Sequence, residues 1–482
     1  MDKDVLDATP TMIHNIPQPI FEEYIADKLK FRVEIRKNHS FLELEDFGDH
    51  VVTTLEDKND GSRYRVRSKH VVACDGAKST VRKFLGIESE GENAYEMMMT
   101  IHIDADLRPV LQDRPGMLHW VLDPSVSGFI IAYDLSGNQV LICNFDSDRY
   151  PVSAWNEDLC RRVVDAAIGD SVPYPILSYR PWVLSRQVAR KYRSGNVFLA
   201  GDAAHSFPPT GGLGLNSGLG DVHNLAYKLA AVHQGWGSNS LLDTYELERR
   251  QVALVNSQQS VKNGKKIFGF LRTLGITDLD VNVARENLWR RINNNDPEIK
   301  KLIDEGVEGQ REHFDNLGLH IGYVYGQRIM PENASIFLPI VIPGARLPHA
   351  WITTSSLTLP PPINSSYVTE LRKKEIELRR FSTLDLIPVD VFTLIVGYHY
   401  SDTWSKHLEN AKGHLASKMK MRIVVHGKDF EVIQDNYNWV DLMKLDEGQA
   451  TLVRPDQHIL AVLDMDVGAE GIVATMREHL VI

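Results

Sequence analysis

One run in the second quarter of the chain combines a carboxylate, a histidine and several glycines. It extends from Gly201 to Asn216 and reads GDAAHSFPPTGGLGLN. The aspartate can accept hydrogen bonds from sugar-like hydroxyl groups, and glycines let the backbone approach a flat ring closely. An apolar strand-like segment, 196–200, precedes the run, and a helix-like stretch, 221–232, follows it. Because the N–H groups at a helix start favour negative charge, the run predicts a site for a polar cofactor.

A second motif lies upstream, over residues 71–83, and reads VVACDGAKSTVRK. An apolar strand runs into an Asp-Gly turn, and a basic helix start follows. Asp75 and Gly76 are expected to shape this turn. Arg82 is a candidate cation for a pyrophosphate, because a guanidinium group binds phosphate oxygens in a planar fork.

In this order, the two motifs resemble those of the class A FAD-dependent aromatic hydroxylases, the family of para-hydroxybenzoate, phenol and 2,4-dichlorophenol hydroxylases. The resemblance implies that Asp202 binds the ribityl chain of FAD. It also implies that the loop after Asp202 lies against the isoalloxazine ring and its pyrimidine side. The candidate FAD-binding residues of this loop are Pro208, Pro209, Gly211, Gly212, Leu213, Gly214, Leu215 and Asn216.

The resemblance extends to both sides of these motifs. It implies that Asp75, Gly76 and Arg82 contribute to flavin and nicotinamide nucleotide binding. The segment IPQPIF at residues 16–21 is similar to the Pro-Gln stretch of the family, whose glutamine commonly touches the flavin. Gln18 is therefore a further candidate. Residues 315–325 also resemble the hydroxylases.

The first nucleotide-binding motif of the family does not occur in this sequence. Family members begin with a strand, a GxGxxG turn and a helix that carry the ADP pyrophosphate, and no GxGxxG occurs in the 482 residues. We therefore expect an N-terminally truncated chain, with roughly a hundred or more residues of the family pattern absent before Met1. Such a chain would expose an edge of its parallel sheet. The sequence leaves open whether it is an incomplete version of an active enzyme or a natural fragment.

The resemblance implies an FAD-dependent, NAD(P)H-consuming monooxygenase. It would hydroxylate a phenolic or other aromatic substrate with O2 through a flavin C4a-hydroperoxide. Two alternatives stay open: a catalytically dead homologue with a structural or interaction role, and a Baeyer–Villiger oxidation or epoxidation on the same scaffold. The residues indicate no catalytic base. His205 is expected to pack and hydrogen-bond locally, and His102 and His119 are weaker candidates.

The predicted helices and strands that must position these residues indicate an α/β (α+β) fold. We predict an incomplete FAD-binding domain over residues 1–96, a substrate-binding antiparallel sheet over 97–182, the FAD-binding motif and a helical region over 183–340, and a thioredoxin-like C-terminal domain over 341–482. The FAD-binding part is expected to be the remnant of a Rossmann-like domain.

Four short apolar runs between residues 97 and 146, separated by turn residues, favour the antiparallel sheet. By analogy with the family, Trp120, Tyr133 and Phe145 are candidates to line the substrate pocket. Since strand side chains alternate between faces, about half of them should point away from it.

The C-terminal elements read as a strand (391–396), a helix (405–418), a strand (421–425), a hairpin (449–463) and a helix (469–480). This order is typical of a thioredoxin-like fold, but this part of the chain contains no cysteine. Thiol–disulfide chemistry is therefore excluded there, and we expect a structural role, with homodimerisation through this domain.

The composition and the absence of certain motifs argue against several other classes of protein. The net charge of −11 argues against a nucleic-acid-binding surface. Cys74, Cys143 and Cys160 have no metal-binding or CxxC spacing, and no HExxH motif occurs, so we expect reduced thiols and no metal site. No apolar stretch approaches a membrane span, and we expect a cytoplasmic protein. The absence of GxSxG and Walker motifs argues against hydrolase and kinase functions.

Overall fold

The computed structural model describes residues 3–145, 147–148, 150–278, 280–294, 296–434 and 437–481. The described residues combine helices with five sheets, so the predicted α/β class is confirmed. Short 3-10 helices occupy Lys3–Asp7, Val152–Ala154, Gly201–Ala203, Asn239–Leu242, Thr383–Leu386, Tyr398–Tyr400, Leu445–Glu447 and Met465–Val467.

The first part of the chain forms an exposed helix and an antiparallel meander. Helix α1 spans Gln18–Leu29, and none of its described residues is buried. The meander has the strand order β1-β2-β3 and comprises β1 (His39–Asp46), β2 (Val51–Asp57) and β3 (Arg63–Ser68). Two short elements follow, β4 (Val71–Ala73) and α2 (Thr80–Phe84).

A six-stranded sheet follows. Five of its strands, all paired antiparallel, are β5 (Ser89–Ile103), β6 (Leu118–Val121), β7 (Gly128–Ala132), β8 (Gln139–Asn144) and β9 (Ile176–Ala189). Helix α3 (Arg108–Leu111) lies before β6, and α4 (Glu157–Ile168) buries Leu159, Cys160 and Val164 in the core of this part. The antiparallel prediction is confirmed. The sheet extends past the predicted limits of residues 97 and 182, because β5 begins and β9 ends outside them.

A small, partly parallel sheet leads into the glycine-rich run. It contains β10 (Arg193–Ser194) and β11 (Val197–Leu199), and β11 pairs in parallel with β4. Strand β12 (His205–Ser206) instead joins the six-stranded sheet beside β9. Among the described residues β4 forms an edge of the small sheet, and its Val72 is 38% exposed.

Six helices follow in succession. They are α5 (Leu213–Gln234), α6 (Asp243–Thr273), α7 (Val281–Ile292), α8 (Pro297–Glu308), α9 (Arg311–Phe314) and α10 (Leu317–His320). Helix α5 ends at Gly235, whose φ of 78° places it in the left-handed region typical of a helix C-terminus. It begins eight residues before the predicted helix at residue 221, within the glycine-rich run.

The C-terminal part contains two sheets. The smaller comprises β13 (Trp351–Thr353), β14 (Phe381–Ser382) and β17 (Glu431–Gln434), and the larger comprises β15 (Phe392–Gly397), β16 (Met421–His426), β18 (Ala450–Val453) and β19 (Ile459–Leu463). The larger sheet has the order β16-β15-β18-β19, with β15 and β16 parallel and the other pairs antiparallel. Its helices are α12 (Ser401–Lys412) and α14 (Gly468–Leu480), while α11 (Lys373–Leu378) and α13 (Trp439–Leu442) lie elsewhere in this part.

This arrangement agrees with the predicted thioredoxin-like order of elements. Helices α12 and α14 share one hydrophobic core with the larger sheet, built around Trp404 and Phe392. Helix α12 begins four residues before the predicted start and ends six residues before the predicted end. Its end coincides with Gly413, which has a low helix propensity.

A buried ionic cluster joins the C-terminal part to α5 and α6. Arg454 donates to both carboxylate oxygens of Glu248, at 2.6 and 2.9 Å, and to Asp456 at 2.6 Å. Lys228 on α5 donates to the same Glu248 at 2.6 Å. Burial alone would raise the pKa of Glu248, but the charges of Arg454 and Lys228 hold it well below its usual value. The ionised form of each buried group in the cluster is therefore stabilised by its oppositely charged partners.

Candidate active site

Asp202 lies on the turn that leaves the end of β11. Gly201, which begins this turn, has a φ of 59°, a conformation that glycine adopts without strain. The Asp202 side chain is exposed, and no described residue forms a hydrogen bond with its carboxylate. The carboxylate is therefore available to accept hydrogen bonds from the hydroxyl groups of a ligand.

The turn is held from behind by a buried carboxylate. Asp221 on α5 accepts hydrogen bonds from the backbone N–H of Gly201 at 3.0 Å, from His205 Nε2 at 2.7 Å and from Arg249 Nε at 2.9 Å. Burial alone would raise the pKa of Asp221, but its basic partners lower it. His205 therefore packs locally, in agreement with the interpretation that it supports the motif rather than reacts.

The loop after this turn carries two glycines in unusual conformations. Gly211 and Gly212 have φ values of 100° and 65°. A Cβ atom on Gly211 would lie 3.2 Å from Asn263 Nδ2 and 3.3 Å from Asn316 Nδ2, whereas a Cβ on Gly214 would meet no atom within 4 Å. The loop is therefore packed on one side and open at the start of α5. There, the first backbone N–H groups of the helix lack intrahelical partners.

Two hydrogen bonds anchor this loop to the helical region. Thr210 Oγ1 donates to the carbonyl oxygen of Ser260 on α6 at 2.7 Å. Asn316 Nδ2 donates to the carbonyl oxygen of Gly211 at 3.0 Å. The loop is thus tied both to α6 and to the residue that precedes α10.

Asp75 acts within its own turn. It accepts hydrogen bonds from Ser79 Oγ at 2.5 Å and from the backbone N–H groups of Thr80 and Val81 at 2.8 and 3.1 Å. These contacts satisfy N–H groups at the start of α2. Gly76, with a φ of 84°, supplies the left-handed residue of the turn.

Arg82 connects the two motifs. Its Nη1 donates to the carbonyl oxygen of Ala203 at 2.5 Å, and its Nη2 donates to that of Ala77 at 2.8 Å. Burial lowers the pKa of Arg82. The sequence did not predict this bridge, which joins the Asp75 turn to the Asp202 turn. A role of Arg82 in pyrophosphate binding stays a prediction.

Gln18 is not joined to either motif by a hydrogen bond within the described chain. It lies at the start of the exposed helix α1, where its Nε2 donates to Glu22 Oε1 at 2.6 Å. Its contact with a flavin also stays a prediction.

A cavity of about 560 Å³ has Asn316, the residue that anchors the loop, in its wall. Its wall includes Trp120 on β6, Phe270 on α6, Phe314, Asn316 and His320. Of the three aromatic side chains predicted to line a substrate pocket, Trp120 lines this cavity and Tyr133 and Phe145 do not. Phe145 instead packs on Trp155, with ring centroids 5.0 Å apart. This is consistent with the expectation that about half of these aromatic side chains would point away from the pocket.

The polar residues of this wall were not predicted individually. The resemblance over residues 315–325 covers Asp315, Asn316 and His320 but not Glu308, Gln310 and Arg311. Burial lowers the pKa of His320, and it lowers the pKa of the neighbouring His313 to about 4. Both imidazole rings are therefore neutral at neutral pH. His119, a weaker catalytic candidate, contacts the carbonyl oxygen of Gly116 through Nε2, and His102 contacts Asn138.

These residues fit the flavin half of FAD. The open side of the loop at Gly214, the N-terminus of α5 and the exposed carboxylate of Asp202 suit a flat, partly anionic ring and a polyol chain. For the ADP half of FAD, the sequence indicates Arg82 as the candidate for binding the pyrophosphate. Two of its guanidinium nitrogens already donate hydrogen bonds to backbone carbonyl oxygens.

No helix among the described residues combines the length and the apolar character needed to span a bilayer. No group of three or more His, Cys, Asp or Glu side chains is arranged there to hold a metal ion. Cys74, Cys143 and Cys160 are free thiols.

Comparison with known proteins agrees with this geometry. The model of the FAD binding domain family matches residues 1–260. The chain therefore belongs to this family, and its resemblance to the class A FAD-dependent aromatic hydroxylases is confirmed. Tetracenomycin B2 monooxygenase-dioxygenase from Streptomyces olivaceus is 29% identical over 457 residues, covering 94% of this chain and 74% of the relative. A 2,4-dichlorophenol 6-monooxygenase from Cupriavidus pinatubonensis is 28% identical over 502 residues, covering 99% and 80%.

Solved structures support the same fold. The flavin-dependent monooxygenase PieE, in complex with FAD and substrate, superposes with a TM-score of 0.84 at 25% identity, covering 98% of this chain and 81% of that chain. Aklavinone-11 hydroxylase, with FAD and aklavinone, has a TM-score of 0.74 at 22% identity, covering 99% and 80%, and supports the fold alone. The chain is an FAD-dependent monooxygenase by family and fold.

Proposed function

We propose that the protein hydroxylates a phenolic or polyketide-like aromatic substrate, with NAD(P)H as reductant and O2 as oxidant. The observation that carries this proposal is the hydrogen bond between Asn316 and Gly211. It joins the loop assigned to the flavin to the wall of the 560 Å³ cavity. A substrate in this cavity would lie beside the cofactor loop.

The residues of the loop would bind and orient the cofactor. Asp202 would accept hydrogen bonds from the ribityl hydroxyl groups, and the backbone at Gly211 to Gly214 would lie against the ring. The N-terminus of α5 would stabilise negative charge there. FAD, when bound, supplies the chemistry that this chain lacks: it accepts hydride from the nicotinamide and activates O2.

The cavity suits an aromatic substrate. Trp120, Phe270 and Phe314 provide aromatic surface, and the neighbouring Ile267 and Leu271 are aliphatic. Such a wall excludes water and binds flat apolar rings, and its few polar groups would orient them. Relatives named for 2,4-dichlorophenol and tetracenomycin B2 favour a phenol or a fused polycyclic aromatic compound.

The first experiment is reconstitution of the full chain with FAD, followed by removal of excess flavin and a visible spectrum. We expect a yellow protein with flavin bound in stoichiometric amount. NADPH and NADH oxidation is then measured with a panel of phenols, and the products are analysed by mass spectrometry under isotopically labelled O2. The expected product contains one labelled oxygen atom as a ring hydroxyl group.

Other results would contradict the proposal in different ways. A chain that folds but retains no flavin would favour a structural or interaction role. Labelled oxygen in an ester or an epoxide would instead indicate a related oxidation on the same scaffold. NADPH consumption that yields only hydrogen peroxide for every phenol would count against hydroxylation.

A further inference from the structure

The cavity that has Asn316 in its wall also takes two wall residues from the N-terminal segment of the chain. Most of its lining comes from β6, from α6 and from residues 307–320, but Val5 and Ile13 belong to residues 3–13. This segment, the N-terminal wall, begins with the 3-10 helix Lys3–Asp7. Its two lining side chains add aliphatic surface to the aromatic surface of the cavity.

The residue next to Val5 packs in another direction. Leu6 is fully buried in a hydrophobic cluster of the C-terminal part, together with Trp351, Val368 and Leu371. None of these four residues belongs to the cavity wall. Successive side chains of a 3-10 helix point about 120° apart, so the burial of Leu6 fixes the direction in which Val5 points.

Two hydrogen bonds to its backbone hold Leu6 in place. The carbonyl oxygen of Leu6 accepts from His349 Nε2 at 3.2 Å and from Trp351 Nε1 at 2.8 Å. Since a carbonyl oxygen only accepts, His349 Nε2 carries the hydrogen and Nδ1 accepts from Ser382 Oγ at 2.7 Å. Burial lowers the pKa of His349 to about 3, so the ring keeps this neutral form at neutral pH.

A second anchor lies beside Ile13. The preceding residue, Met12, packs against the same hydrophobic cluster, and its backbone N–H donates to the hydroxyl oxygen of Tyr367 at 3.2 Å. Between the two anchors, Asp7 pairs with Arg379 at 3.5 Å. At both ends of the N-terminal wall, one residue is therefore held by the C-terminal part while its neighbour lines the cavity.

We propose that the C-terminal part holds the N-terminal wall in its place in the cavity, and that Leu6 thereby sets the affinity of the cavity for aromatic ligands. Leu6 is a positioning residue, because it fixes Val5 and does not itself line the cavity. This inference rests on the proposed function, since it takes the cavity as the aromatic site. It gives the C-terminal part, which contains no cysteine, a role in the substrate site.

The test measures the binding of 2-naphthol to the full chain with FAD by isothermal titration calorimetry. A double variant, Val5→Ala with Ile13→Ala, removes apolar contacts of the wall and should weaken binding about threefold to tenfold. Leu6→Ala removes the anchor alone, outside the cavity. It should weaken binding by a similar factor, because the wall is then no longer held against the ligand.

A double-mutant cycle shows whether Leu6 acts through the wall. Leu6→Ala added to the double variant should change the affinity by less than about twofold, since the truncated wall has no side chains left to position. An effect of Leu6 that is independent of the wall would be equally large in both backgrounds. Leu6→Val keeps most of the side chain and should cause a smaller loss, which covers the case in which Leu6→Ala does not fold.

Leu408→Ala is the matched control. Leu408 on α12 is nearly as buried as Leu6, but it belongs to the core that α12 and α14 share with the larger sheet. This variant should lower stability about as much as Leu6→Ala and leave the affinity for 2-naphthol unchanged. Urea unfolding of each variant measures the stability.

Three outcomes would overturn the proposal. Unchanged affinity in Leu6→Ala, with a loss in the double variant, would show that the wall stays in place without its anchor. Equal losses in Leu6→Ala and Leu408→Ala would assign the effect to the general stability of the C-terminal part. A loss in Phe314→Ala, with none in the double variant, would place the aromatic ligand away from the N-terminal wall.

Failure of the proposed function has a different signature. If 2-naphthol does not bind, or if neither Phe314→Ala nor the double variant changes its binding, the cavity is not the aromatic site and both proposals are contradicted. FAD retention and phenol-dependent NADPH oxidation in the same samples test the proposed function separately.

Discussion

At the scale of single residues, Asp202 provides a direct test of cofactor binding. Its exposed carboxylate has no protein partner among the described residues, so Asp202→Asn should leave folding unchanged. If it accepts hydrogen bonds from the ribityl chain, the loss of charge should weaken FAD binding by about tenfold to a hundredfold. Flavin fluorescence titration measures the affinity. The matched control is Asp113→Asn, in the exposed turn after α3, and an equal loss there would contradict the assignment.

Two glycines of the loop should respond differently to alanine. Gly211→Ala forces a side chain into a φ of 100° and against Asn263 and Asn316, so it should reduce stability by about 1–3 kcal/mol. Gly214 lies in α5 with open space at its Cβ, so Gly214→Ala should keep stability or raise it by up to about 1 kcal/mol.

The FAD affinity of the second variant is informative. If the flavin approaches the open start of α5, the added methyl group should weaken FAD binding although the protein is as stable as before. Urea unfolding and FAD titration of both variants give the two quantities. Full FAD affinity in Gly214→Ala would show that the ring does not approach this backbone.

At the scale of elements, Glu312 on α9 holds α6 and a later loop together behind the cavity. It accepts hydrogen bonds from Lys262 at 3.0 Å, from Lys266 at 2.5 Å and from the backbone N–H of Ala334 at 3.1 Å. Burial alone would raise the pKa of Glu312, but these donors lower it to about 2 from an ordinary value of 4.5. The carboxylate therefore stabilises the fold above pH 4.5, and this stabilisation is lost as the pH falls from 4.5 to 2.

Glu312→Gln should lower the free energy of unfolding by about 2 kcal/mol at neutral pH. The difference from the unmodified protein should shrink below pH 4.5, because Glu312 then becomes protonated in the unfolded state while it stays ionised in the native state down to about pH 2. Urea unfolding at a series of pH values measures this. Glu286→Gln, in an exposed pair with Arg290 on α7, is the control and should change stability little. A difference that does not depend on pH would contradict the role of the charge.

At the scale of the whole molecule, Arg454 links the C-terminal part to α5 and α6. Arg454→Met would leave Asp456 without its arginine and Glu248 with Lys228 as its one remaining cationic partner among the described residues, in a buried environment. We expect a loss of about 3–5 kcal/mol, because removing one partner leaves buried charge uncompensated. Faster hydrogen exchange at both α5 and β18 would locate the loss at this junction.

The control is Lys412→Met on α12, which breaks an exposed pair with Glu409 at 2.7 Å. Exposed pairs contribute at most about 1 kcal/mol, so this variant should resemble the unmodified protein. Similar losses in both variants would mean that the buried cluster is not the main link between the two parts.

The sequence by itself determined the motifs and most elements. The apolar runs that became β5 to β8 and the thioredoxin-like order of the C-terminal part follow from local periodicity, which depends on neighbouring residues alone. The sequence predicted the start of α5 wrongly, because Gly214, Gly218 and Gly220 have low helix propensity. Tertiary packing overrides that propensity: Leu213 and Ser217 are buried, and a Cβ on Gly218 would lie 3.2 Å from the Cα of Gly201.

Only the tertiary structure decided what surrounds the motifs. The bridge from Arg82 to Ala203, the anchoring of Gly211 by Asn316 and the cluster around Arg454 join residues more than a hundred positions apart. No local pattern encodes such pairs, because they form when separate helices and strands pack together. The same packing places His320 in the cavity wall, one helical turn after Asn316, the residue that anchors Gly211.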